Sequence, residues 1–180
     1  IRRQRQMCIR DSSKETDLLV ALQKAAYTPT VAKAARGLSH FGEHDLGWLA
    51  VAGIGAAVDQ PRRKKWVALG AGTFVAHAAS VVIKRVVRRP RPQDDRLTIG
   101  VATPSQLSFP SSHSTNTAAA AVHLADITGA KWPYALVPVM MASRNVLGVH
   151  YPTDTLAGAV LGAAVAKFAV RAAQKPERRI

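Results

Sequence analysis

Three short blocks of this sequence concentrate residues able to bind and transfer a phosphoryl group. The first reads Lys84-Arg85-Val86-Val87-Arg88-Arg89-Pro90-Arg91-Pro92. Lys84 and Arg91 stand seven residues apart, so a helix continuing that far would project both cations from one face. The second, Phe109-Pro110-Ser111-Ser112-His113-Ser114, precedes an alanine-rich run. Ser111 or Ser112 is a natural helix N-cap there, the free N–H groups of such a terminus point toward an anion, and His113 would stand beside it. The third is Ser143-Arg144-Asn145-Val146-Leu147-Gly148-Val149-His150-Tyr151-Pro152-Thr153-Asp154. Asp154 follows His150 by four residues, near enough to accept its Nδ1–H and leave Nε2 free. A histidine held in that way is a competent nucleophile or base. Each block alone also has a plainer reading: a basic flank beside a membrane helix, a capping serine pair next to a surface histidine, and a capping aspartate near an unrelated histidine.

The elements that must position these blocks are helices. Apolar runs at 46–58, 66–83, 115–130, 132–142 and 155–173 alternate with compact charged connectors. Ahead of them, Leu18, Leu19, Leu22, Ala25, Ala26, Val31, Ala35 and Leu38 keep a helical spacing interrupted at Thr28-Pro29, and Lys24 and Lys33 make the segment amphipathic. A membrane-surface or core-edge helix fits it better than a spanning one. Several apolar runs fall short of the roughly 20 residues that cross a hydrocarbon layer. Yet they lack the polar face of a soluble helix, Trp48, Trp66 and Trp132 lie near segment ends, and Gly158 and Gly162 form a small-residue packing pair. The expected fold is all-α: a membrane-embedded bundle of about five apolar helices plus an N-terminal amphipathic helix. A homo-oligomer through the Gly158/Gly162 helix is a further expectation. If the helices alternate in direction, all three blocks share one end, and Arg62-Arg63-Lys64-Lys65, Lys131 and the basic tail share the other.

Taken together, Lys-x6-Arg-Pro, Pro-Ser-x-His and Ser-Arg-x5-His-x3-Asp, in that order on successive helix ends, resemble the signature of the type-2 phosphatidic acid phosphatase family. The resemblance spans Lys84 to Asp154 at motif level. One position departs from it: the family usually has glycine where Ser112 stands, and serine limits the approach of backbone to phosphate while still supplying a cap. The resemblance implies a metal-independent phosphomonoesterase without cofactor. His150 would attack phosphorus and form a phosphohistidine, Asp154 would orient and charge-stabilise His150, and His113 would protonate the leaving oxygen and then activate water. Lys84, Arg91, Ser111, Ser112, Ser143 and Arg144 would hold the non-bridging oxygens. Within the family, the small size, the amphipathic start and the segment Ser39-His40-Phe41-Gly42-Glu43-His44 look like the actinobacterial decaprenylphosphoryl-5-phosphoribose phosphatases, which supply arabinan precursors of the cell wall. Phosphatases of undecaprenyl diphosphate or phosphatidylglycerol phosphate are the rival within catalysis. A non-catalytic membrane protein binding anionic lipid is the rival outside it, although binding needs neither a nucleophile nor a proton donor.

The length of 180 residues is that of one domain. With 48% hydrophobic and 20% charged residues the composition excludes disorder, collagen-like repeats and a disulfide-rich module. Against 11 Asp+Glu stand 25 Lys+Arg, a formal net charge of +14 that points to a polyanionic partner. The basic residues are confined to connectors with no aromatic interleaving, which sets nucleic acid aside in favour of a phosphorylated lipid among membrane lipids. A single cysteine allows no internal disulfide and no cysteine zinc site. Residues 1–13, with Arg2, Arg3, Arg5, Cys8 and Arg10, show no periodicity and read as a non-native or disordered leader. Residues 14–43 form the amphipathic segment, 44–175 the phosphatase domain continuous with it, and 176–180 a basic tail. His40, Glu43 and His44 fit a His-x-x-Glu-His zinc spacing, but Gly42 weakens a helix there and no third ligand is evident, so the cluster is placed at the mouth of the site or capping the helix that follows. His77, His123 and Asp126 lie inside apolar helices, where interhelical hydrogen bonds are the default. The tight loop Arg62–Lys65 favours a cytoplasmic far end, hence a multi-pass cell-membrane protein with an extracytoplasmic site.

Overall fold

Thr28 and Pro29 divide the amphipathic segment in two rather than merely interrupting it. The Thr28 hydroxyl accepts the Val31 N–H at 3.2 Å and Pro29 occupies the first helical position, where its missing N–H costs nothing. The computed structural model describes the backbone of residues 2–174 and the side chains of residues 13–172. Its α-helices are α1 (Arg2–Ala26), α2 (Pro29–Phe41), α3 (Leu46–Val58), α4 (Arg63–Val87), α5 (Ser112–Thr128), α6 (Leu136–Val146) and α7 (Pro152–Gln174). Single 3-10 turns precede α3, α4 and α6, and no strand occurs among the described residues. Helical backbone therefore runs through most of the segment read as a leader, while the basic tail 176–180 lies outside the described residues.

At the centre stands α5. From Ser114 to Leu124 every residue is buried, because Ala118 to Ala121 present no bulk and let neighbours close in on all sides. Helix α7 comes closest. A Cβ on Gly158 would sit 2.5 Å from the Ser111 carbonyl oxygen, and one on Gly162 would collide with the Thr115 carbonyl oxygen. The glycine pair thus seats α5 of the same chain. The glycine face of α7 is therefore occupied within the chain.

A second layer completes the core where α3 and α4 join α5, with Trp48, Ala52, Leu69, Ala120, Leu124 and Ile127 in one cluster. Outward, the pattern is the reverse of a water-soluble helix. Val67, Phe74, Val82 and Val86 on α4 and Leu156, Val160 and Phe168 on α7 are all more than half exposed. Gln60–Val87 and Pro152–Ala172, 28 and 21 residues, are long and apolar enough to cross a membrane, and only 28% and 22% of their apolar windows are buried. A soluble core helix of that composition would bury most of its surface. Helix α1 lies across the loops at one end, with Leu19 buried against Leu97 and Tyr151 and Gln23 donating to the carbonyls of Thr98 at 2.8 Å and Val146 at 2.9 Å.

Candidate active site

The first block does not form one helical face. Arg88 takes a left-handed conformation (φ 54°) and closes α4 with its N–H on the Lys84 carbonyl, and Arg89, preceding Pro90, is barred from continuing the helix. The chain instead doubles back. Pro90 bridges to Leu107, the Arg91 N–H donates to the Gln106 carbonyl at 3.1 Å, and this return carries the Arg91 side chain to the same place as Lys84. The Lys84 ammonium is buried and donates to the carbonyls of Pro110 at 2.9 Å and Leu107 at 3.3 Å. Arg91 donates through Nε to Ser105 O at 2.7 Å and through an NH1 group to Val149 O at 2.6 Å.

His150 lies in the turn between α6 and α7, in a backbone that Gly148 opens with φ 70°. Its Nε2 is 3.1 Å from the Arg91 guanidinium. Arginine can only donate, so Nε2 carries the lone pair and Nδ1 the proton. That proton faces Asp154 but does not reach it: Nδ1 to Oδ2 is 3.8 Å and Nδ1 has no hydrogen-bond partner. The predicted His150–Asp154 hydrogen bond is therefore open, for a local reason. Asp154 Oδ2 accepts the Tyr151 N–H at 2.8 Å and Oδ1 accepts from Arg89 at 2.8 Å. Burial first, then the cations Arg91, Arg144 and Lys84, holds His150 well below the ordinary imidazole value, so it stands neutral, with its Nε2 lone pair directed at Arg91. Burial likewise brings Arg91 down to about 10.

Ser111 caps α5, accepting the Ser114 N–H, and its own N–H donates to the Asp154 carbonyl at 2.9 Å, which ties the second block to the third. His113 Nε2 donates to the Ser39 carbonyl at 2.9 Å. Its ring lies against Gly42, where a Cβ would come within 2.6 Å of Cδ2, so only glycine fits there. Arg144 is 1% exposed; one NH1 group donates to the Ser39 hydroxyl at 2.7 Å while its Nε is unpartnered.

A cavity of about 640 Å³ collects Lys84, Arg91, Ser112, His113, Arg144 and His150 in its lining, so the three blocks share one end of the bundle. Ser111, Ser143 and Asp154 lie behind this wall. The Ser143 hydroxyl donates to the Met140 carbonyl at 2.8 Å, and neither Ser111 nor Ser143 is part of the cavity lining. The first turn of α5 faces the cavity through Ser112 and His113 and brings the positive end of that helix to it. His40, Gly42, Glu43 and His44 line the cavity as expected of residues at its mouth, and among the described residues no three metal-ligating side chains converge. His77 bonds across helices to Asn116 at 3.0 Å and also lines the cavity, whereas His123 Nε2 has no partner and Asp126 pairs with Lys65 at 3.1 Å.

The family model of the PAP2 superfamily matches residues 65–178, more than half of the chain. The chain belongs to the PAP2 superfamily. It is 57% identical over 145 residues to a decaprenylphosphoryl-5-phosphoribose phosphatase of Mycolicibacterium smegmatis, covering 80% of this chain and 81% of that protein. It is 52% identical over 152 residues to the protein of the same name from Mycobacterium tuberculosis, covering 84% and 86%. Among solved structures it resembles the transmembrane PAP2-type phosphatidylglycerolphosphate phosphatase of Bacillus subtilis (25% identity, TM-score 0.68, 91% and 88% of the two chains). The Aquifex aeolicus protein LpxE shares the fold at 17% identity (TM-score 0.72, 86% and 93%). This PAP2 protein is thus an all-helical, membrane-embedded phosphatase.

Sequence reasoning missed four residues that build the PAP2 site. Ser39 holds both Arg144 and His113, and Gly42 makes room for the His113 ring. Arg89 and Glu15 form a clamp behind His150. Arg89 bonds Asp154 and the Thr153 hydroxyl, stacks 4.0 Å over the Tyr151 ring, and donates to Glu15 of α1. Glu15, which burial alone would push up, is held below the ordinary carboxylate value by its hydrogen bonds from Arg89 and Thr153. No fixed spacing marks these residues, because their side-chain hydrogen bonds reach partners 64 to 138 positions away.

Proposed function

We propose that this PAP2 phosphatase removes the 5-phosphate of a polyprenylphosphoryl-5-phosphoribose through a phosphohistidine, in the synthesis of cell-wall arabinan precursors. The observation that carries the chemistry is an unprotonated His150 Nε2 facing a cavity with three cations, Lys84 and Arg144 buried and Arg91 partly so, none of which pairs with a carboxylate within 4 Å among the described residues. The substrate class rests on the relatives at 52–57% identity.

In the first step the Nε2 lone pair attacks phosphorus and the bond from phosphorus to the ribose oxygen breaks. Burial and the Arg144 charge bring His113 down to about 3, so it takes up a second proton with the phosphate dianion and gives that proton to the leaving oxygen while its Nε2–H stays on the Ser39 carbonyl. Lys84, Arg91, Arg144 and the Ser112 end of α5 stabilise charge on the non-bridging oxygens. In the second, His113 takes a proton from water, water oxygen displaces Nε2 from phosphorus, and phosphate leaves. Asp154, held by Arg89, fixes the charge behind the ring. Phosphate release that persists in EDTA, stops with vanadate and disappears in His150→Ala and His113→Ala is the expected result; full activity in either variant overturns the role assignment. A panel including undecaprenyl diphosphate and phosphatidylglycerol phosphate decides the substrate.

The site is proposed to face the outside of a multi-pass cell-membrane protein, with Arg62–Lys65 on the cytoplasmic side. In a Cys8→Ser background, an impermeant thiol reagent on intact cells should label Pro104→Cys and spare Lys64→Cys; the reverse pattern overturns this orientation.

A further inference from the structure

The cavity holds more positive charge than one phosphomonoester needs. Besides Lys84, Arg91 and Arg144 its lining contains Arg36 and Arg85, against a single carboxylate, Glu43. A bound dianion would leave about two cationic charges unanswered, on a partly buried Arg36 and an exposed Arg85 of the cavity lining. Neither extra arginine is accounted for by the fold. Among the described residues Arg85 has no side-chain hydrogen-bond or ion-pair partner within the protein, and the Arg36 side chain makes one bond, to the Gly100 carbonyl at 3.3 Å. Nor is 640 Å³ the size of a phosphate site: it is within the range of pockets that take a whole headgroup.

The placement also fits a second anion. His77, Val81, Lys84 and Arg85 follow a helical spacing down one stripe of α4, all lining the cavity. Val82 and Val86 beside them point outward, 62% and 77% exposed. Arg85 therefore stands where the cavity meets the apolar belt, and Arg36 enters from α2. Ser39, Thr103 and Ser105 also line the cavity, and each hydroxyl, though it has one partner within the protein, keeps capacity for a second bond to a sugar.

We propose that Arg36 and Arg85 form a second anion subsite, which binds the phosphodiester linking sugar to polyprenyl chain while Lys84, Arg91 and Arg144 hold the terminal phosphate. It rests on the substrate reading above and adds the specificity determinant. Arginine suits the task because its planar fork can grip two diester oxygens at once.

The test compares two substrates in neutral detergent without anionic lipid: polyprenylphosphoryl-5-phosphoribose, and phosphatidic acid, which has a terminal phosphate but no second one. The ratio of their kcat/KM values should fall about 10-fold in Arg85→Gln and in Arg36→Gln, through KM, as expected for loss of a charge-assisted hydrogen bond. Arg85→Lys should recover most of the charge contribution to that ratio. Turnover of phosphatidic acid reports that each variant is folded. A ratio unmoved in both variants, with the wild type active on both lipids, overturns the subsite and leaves the substrate reading standing. A wild type that hydrolyses phosphatidic acid but not the phosphoribose lipid overturns both. If the arginines serve membrane headgroups instead, the ratio stays fixed and both activities respond equally to adding anionic lipid.

Discussion

The two ends of the bundle carry the same kinds of cation and treat them oppositely. At the far end Lys65 meets Asp126 at 3.1 Å and Arg62 meets Asp59 at 2.7 Å, with the cationic side chains about half exposed. At the catalytic end Lys84 and Arg144 are 8% and 1% exposed and no carboxylate pairs with them; backbone carbonyls and one serine hydroxyl are their partners. Surface pairs of the first kind contribute little. Buried cations of the second kind are tolerated only where an anion is to come. Partners, not residue types, separate a solvated flank from a substrate site.

The sharpest way to break this comparison is to delete from each end. His150→Ala should lower phosphate release about 10⁴-fold or more, since nothing else in the cavity replaces the nucleophile. Arg144→Ala, Lys84→Ala and Arg91→Ala should each lower kcat/KM about 10²–10³-fold. Arg62→Ala and Lys65→Ala should change it less than about twofold. Comparable losses at both ends would show that partner identity says nothing about function. A smaller contrast exists within the catalytic end. Arg89→Ala frees Asp154 and unhooks α1, and should cost about 10-fold in kcat, the effect of losing a supporting contact. Arg96→Ala, whose guanidinium is 55% exposed on Asp94 and Asp17, should cost nothing measurable.

The same cations set a pH dependence. His150 is held below the ordinary imidazole value, so it stays neutral as pH falls through 6.5 and the enzyme keeps its nucleophile into mild acid. Removing a cation reverses part of that shift. In Arg91→Gln the pKa of His150 rises, and the acid limb of kcat/KM should move to higher pH than in the wild type. Substrate ionisation affects both proteins alike and drops out of the difference. An unmoved limb would mean that the cations do not reach the imidazole.

Much of this was legible in the sequence because motif spacing and helix ends coincide. The 46–58 run is α3 to the residue, and of the two capping candidates Ser111 and Ser112 it is Ser111 that caps α5. What spacing could not show is closure in three dimensions. Pro90 ends α4 too early for Lys84 and Arg91 to share a helical face, yet a backbone return brings them together. Asp154 has the right offset from His150, but Arg89 and the Tyr151 amide hold its oxygens at a distance. Ser39, Gly42 and Glu15 act through partners far along the chain, which no local pattern records. The glycine pair on α7 was recognised as a packing stripe, but its partner is α5.

The smallest effect tests whether every unpaired buried charge at this end is functional. Asp45 is 1% exposed, neither of its carboxyl oxygens has a well-formed hydrogen bond, and it does not line the cavity. Burial lifts its pKa to about 6, with the Thr73 hydroxyl pulling weakly the other way. A carboxyl raised above its unfolded value burdens the fold when ionised, so stability is highest in acid and declines as pH rises through about 6. Asp45→Asn removes the charge without changing the shape. At pH 8 it should raise Tm in detergent by about 3–6 °C, as a gain of roughly 1–2 kcal/mol implies for a chain of this size. At pH 4 the gain should vanish, because the wild-type carboxyl is then protonated, and catalysis should persist throughout. A fall in activity with no change in Tm would place Asp45 with Lys84 and Arg144, among charges kept for a ligand. A pH-dependent gain in Tm places it outside that set, and leaves the facing cavity as the feature that makes an unpaired charge functional.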